Sequence, residues 1–303
     1  MEKVLIIGAN GFLGTNLIKA YEEDSKFQKN FSLTVADIEN SNIPETIPFF
    51  QLDITKKEEV SKILSKINPD IIILTAALTD VDKCEVEKQL AFKVNVQGPQ
   101  NIIKACKELG TKLVFISTDF VFDGTKPEPY IEEDIPNPQS YYAKTKFQAE
   151  LSIYSSGIDY LICRTAVLYG WNQNKLNFIT WILDNLEKKK PLRIVTEQIN
   201  SPTYVENLAK CVFKLLELGA SGIYHTAGDC ILSRYEMALK CAEIFDNNKD
   251  LIKPIQNLKQ KAERPRNAGL NITKLKTKVR DQMKILNLEE GLKRMRTSKE
   301  NYI

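Results

Sequence analysis

Short apolar runs and amphipathic segments alternate along the first half of the chain. The apolar runs, typical of buried strands, are Val4–Ile7, Leu33–Ala36, Ile71–Thr75, Leu113–Ser117 and Tyr160–Arg164. Helical periodicity covers the segments near 12–23, 56–67, 87–109 and 140–155, and later 203–218. Strands that alternate with helices pair in parallel through right-handed crossovers. The pattern predicts an α/β fold with a Rossmann-type, doubly wound parallel sheet.

The pattern changes after the fifth apolar run. The segment 161–169 is apolar and then irregular, and beyond about residue 220 the elements are shorter and richer in Lys and Arg. We therefore expect a sheet domain over residues 1–165 and, over 166–303, mainly a smaller C-terminal α/β lobe. The apolar 203–218 helix is the one later segment that we expect can pack back onto the first domain.

Composition narrows the kind of partner and compartment. Lys and Arg total 42 against 39 Asp and Glu, and the charges are interspersed, so we expect neither a nucleic-acid surface nor a membrane surface. The first apolar run ends at Gly8 and is too short for a secretion signal or a membrane span. The six cysteines contain no CxxC pair and predict reduced core thiols. These features favour a cytoplasmic protein with a small-molecule partner.

A glycine-rich loop follows the first strand and opens the first helix. It is Gly8-Ala9-Asn10-Gly11-Phe12-Leu13-Gly14. Glycines at such positions permit a tight turn, close approach of a pyrophosphate and close packing of helix on strand. The helix N-terminus offers free N–H groups to phosphates. This loop predicts a dinucleotide site made by Gly8, Asn10, Gly11, Phe12, Leu13 and Gly14.

Further cofactor contacts are expected at the ends of the next strands. Asp37 follows the second strand, where a carboxylate can accept hydrogen bonds from both hydroxyls of an adenine ribose. Since no Arg lies nearby, NAD(H) is favoured, and NADP(H) is left open. Asp53 and Ile54 are candidate adenine contacts, and Ala76, Ala77 and Leu78 are mostly small residues against which a cofactor can lie. A solvated Asp and ordinary packing remain the alternatives at these positions.

A candidate catalytic group lies at the start of the 140–155 helix. Lys146 stands one helical turn after Tyr142, and an ammonium there favours the phenolate, which would bring a tyrosine pKa of about 10 nearer neutrality. Thr118 and Asp119 follow a strand that ends at the same edge of the sheet, so the Thr118 hydroxyl can reach the same carbonyl oxygen. The alternative for Thr118 is a hydroxyl that caps its own turn.

Taken together, these motifs resemble the extended short-chain dehydrogenases and reductases, and within them the dTDP-4-dehydrorhamnose reductases. The matching stretches are GANGFLG (8–14), TDVDKCE (79–85), NVQGPQNIIKAC (95–106), ISTDFVFDG (116–124), YIEEDIPNPQSYYAKTK (130–146), RTAVLYG (164–170), QINSPTYVENLA (198–209) and GIYHTAG (222–228). They occur in the family's order over most of the chain, and the last third matches least.

The resemblance implies a role for each matching residue. Tyr142 would be the general acid, Lys146 its modulator and ribose anchor, and Thr118 the partner hydroxyl, with Asp119 positioning a sugar. Rhamnose-forming members commonly place a Trp against the sugar where this chain has Val167, which leaves the sugar open. Arg264 and Arg266 would clamp the diphosphate of a nucleotide sugar, with a surface loop as the alternative.

Other functions remain open at this point. The chain is also similar to the regulatory subunit of methionine adenosyltransferase, which predicts a non-catalytic NAD(P)-binding protein, and epimerisation or dehydration of a nucleotide sugar is a further alternative. A homodimer is left open. With His225 as the single histidine, neither a Ser-His-Asp triad nor a histidine-rich metal site can form, and no metal is expected. Glu132, Glu133 and Asp134 could hold a cation, but a solvated loop is the commoner outcome.

Overall fold

The apolar runs form the strands at the centre of the molecule. The computed structural model describes residues 1–41, 43–172, 175–257 and 260–299. Its strands are β1 (Glu2–Ile7), β2 (Phe31–Asp37), β3 (Phe49–Gln51), β4 (Ile71–Leu74), β5 (Lys112–Thr118), β6 (Tyr160–Thr165), β7 (Leu168–Tyr169), β8 (Leu192–Val195), β9 (Ile199–Asn200), β10 (Thr203–Tyr204), β11 (Gly222–His225), β12 (Leu232–Ser233) and β13 (Ile252–Ile255).

Seven strands form one sheet in the order β11-β6-β5-β4-β1-β2-β3. Every neighbouring pair in it is parallel. The strand order reverses between β1 and β4, and ligands of such sheets bind at the carboxyl ends of the strands beside the reversal. The predicted Rossmann-type parallel sheet is confirmed.

Helices cover both faces of the sheet and build the second lobe. They are α1 (Phe12–Glu23), α2 (Ser25–Asn30), α3 (Lys57–Ile67), α4 (Val81–Val86), α5 (Lys88–Phe92), α6 (Gly98–Leu109), α7 (Tyr141–Tyr154), α8 (Phe178–Glu187), α9 (Val205–Glu217), α10 (Arg234–Ile244), α11 (Thr273–Val279) and α12 (Leu288–Thr297). Leu17 of α1 and Val212 of α9 pack on one face of the sheet, and Leu64 of α3 and Ile102 of α6 pack on the other.

Two elements differ from the sequence pattern. The continuous helix expected over 87–109 is interrupted: a π-helical turn, Lys93–Gln97, separates α5 from α6. Such turns insert one residue into the helical register and are frequent at functional sites. The short strand β11 was not expected in the sheet, yet it pairs with β6 and extends the sheet by one strand.

Part of the 166–303 segment therefore lies on the sheet domain. Helix α9 packs against α1, where Lys19 forms an ion pair with Glu206 at 2.8 Å. The smaller lobe has its own core, in which Ile182 of α8, Met237 of α10 and Leu292 of α12 are fully buried. Strands β8 and β13 pair in parallel beside that core. The chain thus leaves the sheet domain after β6 and returns to it.

No helix among the described residues combines the length and the hydropathy needed to cross a bilayer. The six cysteines all lie in the described part of the chain and are free thiols, five of them buried. Burial raises the pKa of the Cys106 thiol to about 12, so that thiol is unreactive at neutral pH.

Candidate active site

A cavity of about 760 Å³ opens at the carboxyl edge of the sheet, where the strand order reverses. We call it the main cavity. Most of the residues selected from the sequence line it: Gly8, Asn10, Gly11, Phe12, Leu13, Asp37, Asp53, Ile54, Ala76, Ala77, Thr118, Asp119, Tyr142, Lys146 and Val167. Gly14, Leu78, Arg264 and Arg266 are not among the residues that line it.

The glycine loop is shaped by contacts that only glycine permits. Gly8 has φ +94°, and a Cβ there would lie 2.5 Å from the backbone nitrogen of Ala76. A Cβ on Gly14 would lie 2.2 Å from the Gly8 carbonyl oxygen, so Gly14 serves packing of α1 against the loop rather than contact with a ligand. No side chain caps the N-terminus of α1, which leaves its N–H groups free for an anion.

Asp37 fixes the rim of the main cavity beside this loop. Its Oδ2 accepts a hydrogen bond from the Asn10 backbone N–H at 2.8 Å, and its Oδ1 accepts one from Ile38 at 2.7 Å. The Asn10 side chain donates to the Glu39 carbonyl oxygen at 2.5 Å. The carboxylate therefore holds the glycine loop against the end of β2 while it faces the cavity.

Asp53 and Ile54 stand further along the same edge. The Asp53 Oδ1 accepts from both the backbone and the hydroxyl of Thr55, at 2.9 and 2.7 Å. Ile54 packs so closely on the start of α6 that a Cβ on Gly98 would lie 2.6 Å from its Cδ1. These contacts hold both residues in place on the wall of the cavity.

A buried asparagine that sequence reasoning missed organises the end of β4. Asn95, in the π-helical turn, is 1% exposed. Its Oδ1 accepts from the Leu78 backbone N–H at 2.8 Å, and its Nδ2 donates to the Leu78 carbonyl and to the Thr145 hydroxyl. The backbone N–H and carbonyl of Leu78 are thus both bonded to Asn95. The interruption of the helix places Asn95 between the 76–78 segment and α7.

Tyr142 and Thr118 meet in the main cavity. Tyr142 lies in the first turn of α7, which Ser140 caps by accepting from Ala143. Its ring packs edge-on against Phe120, with the ring centres 6.5 Å apart. Burial and the Asp119 carboxylate raise the pKa of Tyr142 above its usual range, and a hydrogen bond with Thr118 opposes the shift. The direction is opposite to the lowering expected from the Tyr-Lys spacing alone.

Lys146 is not a permanent positive charge beside Tyr142, because burial disfavours its ammonium. Its side chain is 3% exposed, and its Nζ lies 3.9 Å from the centre of the Phe115 ring. Burial lowers the pKa of Lys146 to about 7, although the Glu150 carboxylate opposes the shift. Lys146 therefore loses its charge more easily than a solvated lysine does.

Asp119 is held by residues from both lobes. Asn200 of β9 donates to its Oδ2 at 2.8 Å, and the Thr118 hydroxyl donates to its Oδ1 at 3.1 Å. Burial raises the pKa of Asp119 to about 6. Sequence reasoning missed Asn200 because its partner lies 81 positions away in the chain.

Val167 occupies a strained position on the cavity wall. Its φ is +44°, in the left-handed region that β-branched residues rarely adopt. Strain of this kind costs about 1–3 kcal/mol and is concentrated at functional sites. Its carbonyl oxygen accepts from the Thr203 backbone N–H at 3.2 Å, which ties this turn to β10.

The two arginines expected to clamp a diphosphate lie elsewhere. Arg264 pairs with Asp82 through both terminal nitrogens, at 3.2 and 3.1 Å, and the hydrogen bond from Arg264 lowers the pKa of Asp82. The Arg266 side chain is 77% exposed and lies 3.9 Å from Glu197. Both line a second cavity of about 430 Å³, whereas the arginine that lines the main cavity is Arg234.

Glu132 and Asp134, which belong to the acidic stretch 132–134, contact different partners in the fold. Glu132 accepts from the backbone N–H of His225 at 2.9 Å, and Asp134 pairs with Lys126 at 2.8 Å. His225 ends β11 and is fully buried, and burial lowers its pKa to about 3. Within the described ranges, no three His, Cys, Asp or Glu side chains are grouped to hold a metal ion.

Comparisons with known proteins agree with this geometry. The dTDP-4-dehydrorhamnose reductase of Aggregatibacter actinomycetemcomitans is 31% identical over 291 residues, which cover 91% of this chain and 92% of that protein. Methionine adenosyltransferase 2 subunit beta of Rattus norvegicus is 31% identical over 285 residues, 91% of this chain and 82% of that protein. Both resemblances inferred from the motifs are confirmed.

A solved structure extends the similarity to three dimensions. The structure of dTDP-4-dehydrorhamnose reductase from Bacillus anthracis str. Ames in complex with NADP matches with a TM-score of 0.86 at 31% identity, over 98% of this chain and 99% of that one. The family model described as the RmlD substrate binding domain matches residues 1–300. The chain therefore belongs to the RmlD substrate-binding-domain family.

Proposed function

We propose that this protein is an NAD(P)H-dependent reductase of the 4-keto group of a nucleotide-linked deoxysugar, with dTDP-4-dehydrorhamnose as the leading substrate. The observation that carries the proposal is the meeting of Tyr142, Thr118 and Lys146 in one cavity at the carboxyl edge of the sheet. The relatives named as reductases, and the one solved with NADP, support the same reaction.

The residues present fit a dinucleotide. The uncapped start of α1 offers N–H groups to the pyrophosphate, and Asp37 offers its carboxylate to the adenine ribose. Ser117 and Thr165 line the main cavity, and their buried side-chain oxygens have no partner among the described residues. Buried hydroxyls are normally satisfied, so these two are candidates for a partner that a bound cofactor brings. When bound, the reduced cofactor supplies the hydride.

Tyr142 supplies the proton to the ketone oxygen. Because its pKa is raised, the phenol remains protonated at neutral pH and can donate its Oη proton as charge develops on that oxygen. When the ketone is bound, the Thr118 hydroxyl turns its proton from Asp119 Oδ1 to the same ketone oxygen. Protonated Lys146 stabilises the phenolate that is left behind, and Asp119, oriented by Asn200, accepts a hydrogen bond from a sugar hydroxyl.

Consumption of reduced nicotinamide tests this proposal. The purified full chain is mixed with NADPH or NADH and a panel of 4-keto nucleotide sugars, and cofactor absorbance and sugar products are followed. We expect turnover with a 6-deoxy-4-keto sugar carried on dTDP. No turnover with any member of the panel would contradict the reductase.

The second candidate is a non-catalytic regulatory subunit, favoured by the similarity to methionine adenosyltransferase 2 subunit beta. This candidate predicts no ketone-dependent cofactor oxidation. It predicts instead a changed rate of a methionine adenosyltransferase when the two proteins are mixed. The two assays on one preparation separate the candidates, since each gives a positive result for only one of them.

Cofactor preference follows from the charge of Asp37. Its carboxylate repels a 2′-phosphate, whereas Asn keeps an oxygen that can accept from the Asn10 N–H. Two unit charges about 4 Å apart in water repel by about 1 kcal/mol. We expect NADH to be preferred, and Asp37→Asn to shift the ratio of dissociation constants toward NADPH by about fivefold or more. Equal affinity of the wild type for both cofactors in a titration would count against this role.

The pH dependence of kcat/KM follows from two buried groups. Asp119, with a pKa of about 6, loses its carboxylate charge as the pH falls, and Lys146, with a pKa of about 7, loses its ammonium as the pH rises. We expect a maximum between about 6 and 7 with a decline on each side. Asp119→Asn should remove the acid decline alone, and Lys146→Arg should move the alkaline decline upward. A flat profile across neutrality would show that neither group controls the rate.

We further propose that residues 1–165 hold most of the cofactor site and that 166–303 mainly supply the substrate side. Free cysteines and the use of reduced nicotinamide favour the cytoplasm as the site of action. Gel filtration with light scattering tests for a homodimer.

A further inference from the structure

Arg234 lies on the wall of the main cavity and forms no ion pair with any residue that the structure describes. It begins α10, on the side of the smaller lobe, and its backbone N–H donates to the Gln198 carbonyl at 2.9 Å. Its guanidinium carbon lies 4.7 Å from the centre of the Phe178 ring, which fixes the plane of the group. Its Nε is buried without a hydrogen-bond partner among the described residues.

Arg234 keeps its positive charge but forms no ion pair with a described residue. Burial lowers the pKa of Arg234 to about 10, so the group remains protonated at neutral pH. Asp119 favours that charge from a distance, but within the described ranges no carboxylate forms an ion pair with Arg234. Arg264, by contrast, already pairs with Asp82. A half-buried cation that lines a cavity without an ion-pair partner among the described residues is costly, which indicates that a ligand provides the anion.

The position of Arg234 indicates which part of a ligand it meets. It lines the main cavity together with Thr118 and Tyr142. Gln198, which holds its backbone, lines the second cavity, so Arg234 stands where the two cavities adjoin. A hexose with its 4-keto group at Tyr142 points its C1 substituent away from the reacting carbon. In a nucleotide sugar that substituent is a diphosphate, and the planar guanidinium matches phosphate oxygens.

We propose that Arg234 binds the diphosphate of the substrate and so makes the site selective for nucleotide-linked over free keto sugars. This inference rests on the proposed function in taking a nucleotide sugar as the substrate. It gives Arg234 the role that the sequence suggested for Arg264 and Arg266. Phe178 is the residue that positions the guanidinium.

Binding of dTDP and of thymidine tests the inference without turnover. Isothermal titrations of the full chain with each probe are made in the presence of saturating NADPH, so that the dinucleotide site is filled. We expect Arg234→Gln to weaken dTDP binding by about ten- to a hundredfold, since charge-assisted hydrogen bonds are lost, and to leave thymidine binding unchanged. Arg234→Lys should restore part of the loss. Arg193→Gln, an exposed arginine of β8 in the same lobe, is the matched control and should bind dTDP normally.

Three results would overturn the inference. They are unchanged dTDP affinity in Arg234→Gln, an equal loss of dTDP and thymidine, and loss of dTDP affinity in Arg266→Gln alone. The titrations can give the expected pattern while the wild type reduces no keto sugar. That combination would support this role of Arg234 and contradict the reductase. Failure of one proposal is therefore distinguishable from failure of the other.

Discussion

Replacing Tyr142 by Phe should lower kcat by about a hundred- to ten-thousandfold, the usual contribution of general acid assistance. The substitution removes the phenol proton and keeps the ring that packs edge-on against Phe120. Cofactor binding and the free energy of unfolding should therefore change little. Steady-state rates with a 4-keto nucleotide sugar, together with a cofactor titration, measure both effects.

The neighbouring tyrosine is the matched control. Tyr141 stands in the same helical turn, but its side chain lies under Lys88, 5.4 Å from the ring centre, and is not among the residues that line the main cavity. Tyr141→Phe should keep the wild-type rate. Thr118→Val should lose less than Tyr142→Phe, because it removes one hydrogen bond and no proton. Nearly full kcat in Tyr142→Phe would refute the catalytic role of Tyr142.

Replacing Glu150 by Gln should lower the free energy of unfolding by about 3–5 kcal/mol. Glu150 and Arg164 are 3% and 2% exposed, and they pair through both carboxylate oxygens at 3.1 and 2.7 Å. The variant leaves the Arg164 cation buried without a counter-ion. Because whole domains are stable by only about 5–15 kcal/mol, the effect should be large in urea unfolding.

A surface pair provides the comparison for this measurement. Asp184 and Lys188 lie one turn apart on the exposed side of α8, where removal of the charge in Asp184→Asn should cost about 1 kcal/mol or less. The double variant Glu150→Leu with Arg164→Met removes both charges and should recover much of the loss. Equal stability of Glu150→Gln and the wild type would show that the pair does not stabilise the fold.

The sequence predicted the parallel sheet and its glycine loop well because their signals are local. Each strand-helix-strand unit spans only about thirty residues. A GxxGxxG between a strand and a helix has few alternative structures. The expected strands, their parallel order and the position of Gly8 follow from these signals. The roles of individual side chains at the site remain predictions.

The substrate side depends on contacts between distant segments. Asn200 contacts Asp119 from a two-residue strand, and Arg234 lines the main cavity from a helix N-terminus; neither element has a distinct period in the sequence. Arg264 also depends on a distant contact. Its motif suggested an anion site, whereas folding brings Asp82 to it across 182 positions of the chain. Charge pairing of this kind cannot be read from one segment.

The ambiguity between a reductase and a regulatory subunit has a physical origin. Tyr142, Lys146 and the glycine loop would suit a protein that only binds a cofactor as well as one that uses it, so their presence alone does not separate the two functions. Asp119, with a pKa of about 6, and Arg234, which has no ion-pair partner among the described residues, belong to the proposed substrate side of the main cavity. A protein that binds a negatively charged nucleotide sugar and reduces it would use both groups. They are therefore the first residues to replace in a functional test.

Transfer of deuterium from the cofactor to the sugar would show directly that this protein reduces a 4-keto sugar. The full chain is incubated with NADPH or NADH that carries deuterium at the transferable position of C4 of the nicotinamide, and with dTDP-4-dehydrorhamnose. We expect a dTDP-6-deoxyhexose with one deuterium at C4 of the sugar, detected by mass spectrometry and NMR. The amount of this product should be proportional to the amount of cofactor oxidised. Recovery of the keto sugar unchanged, or a reduced product without deuterium at C4, would contradict the proposed reduction.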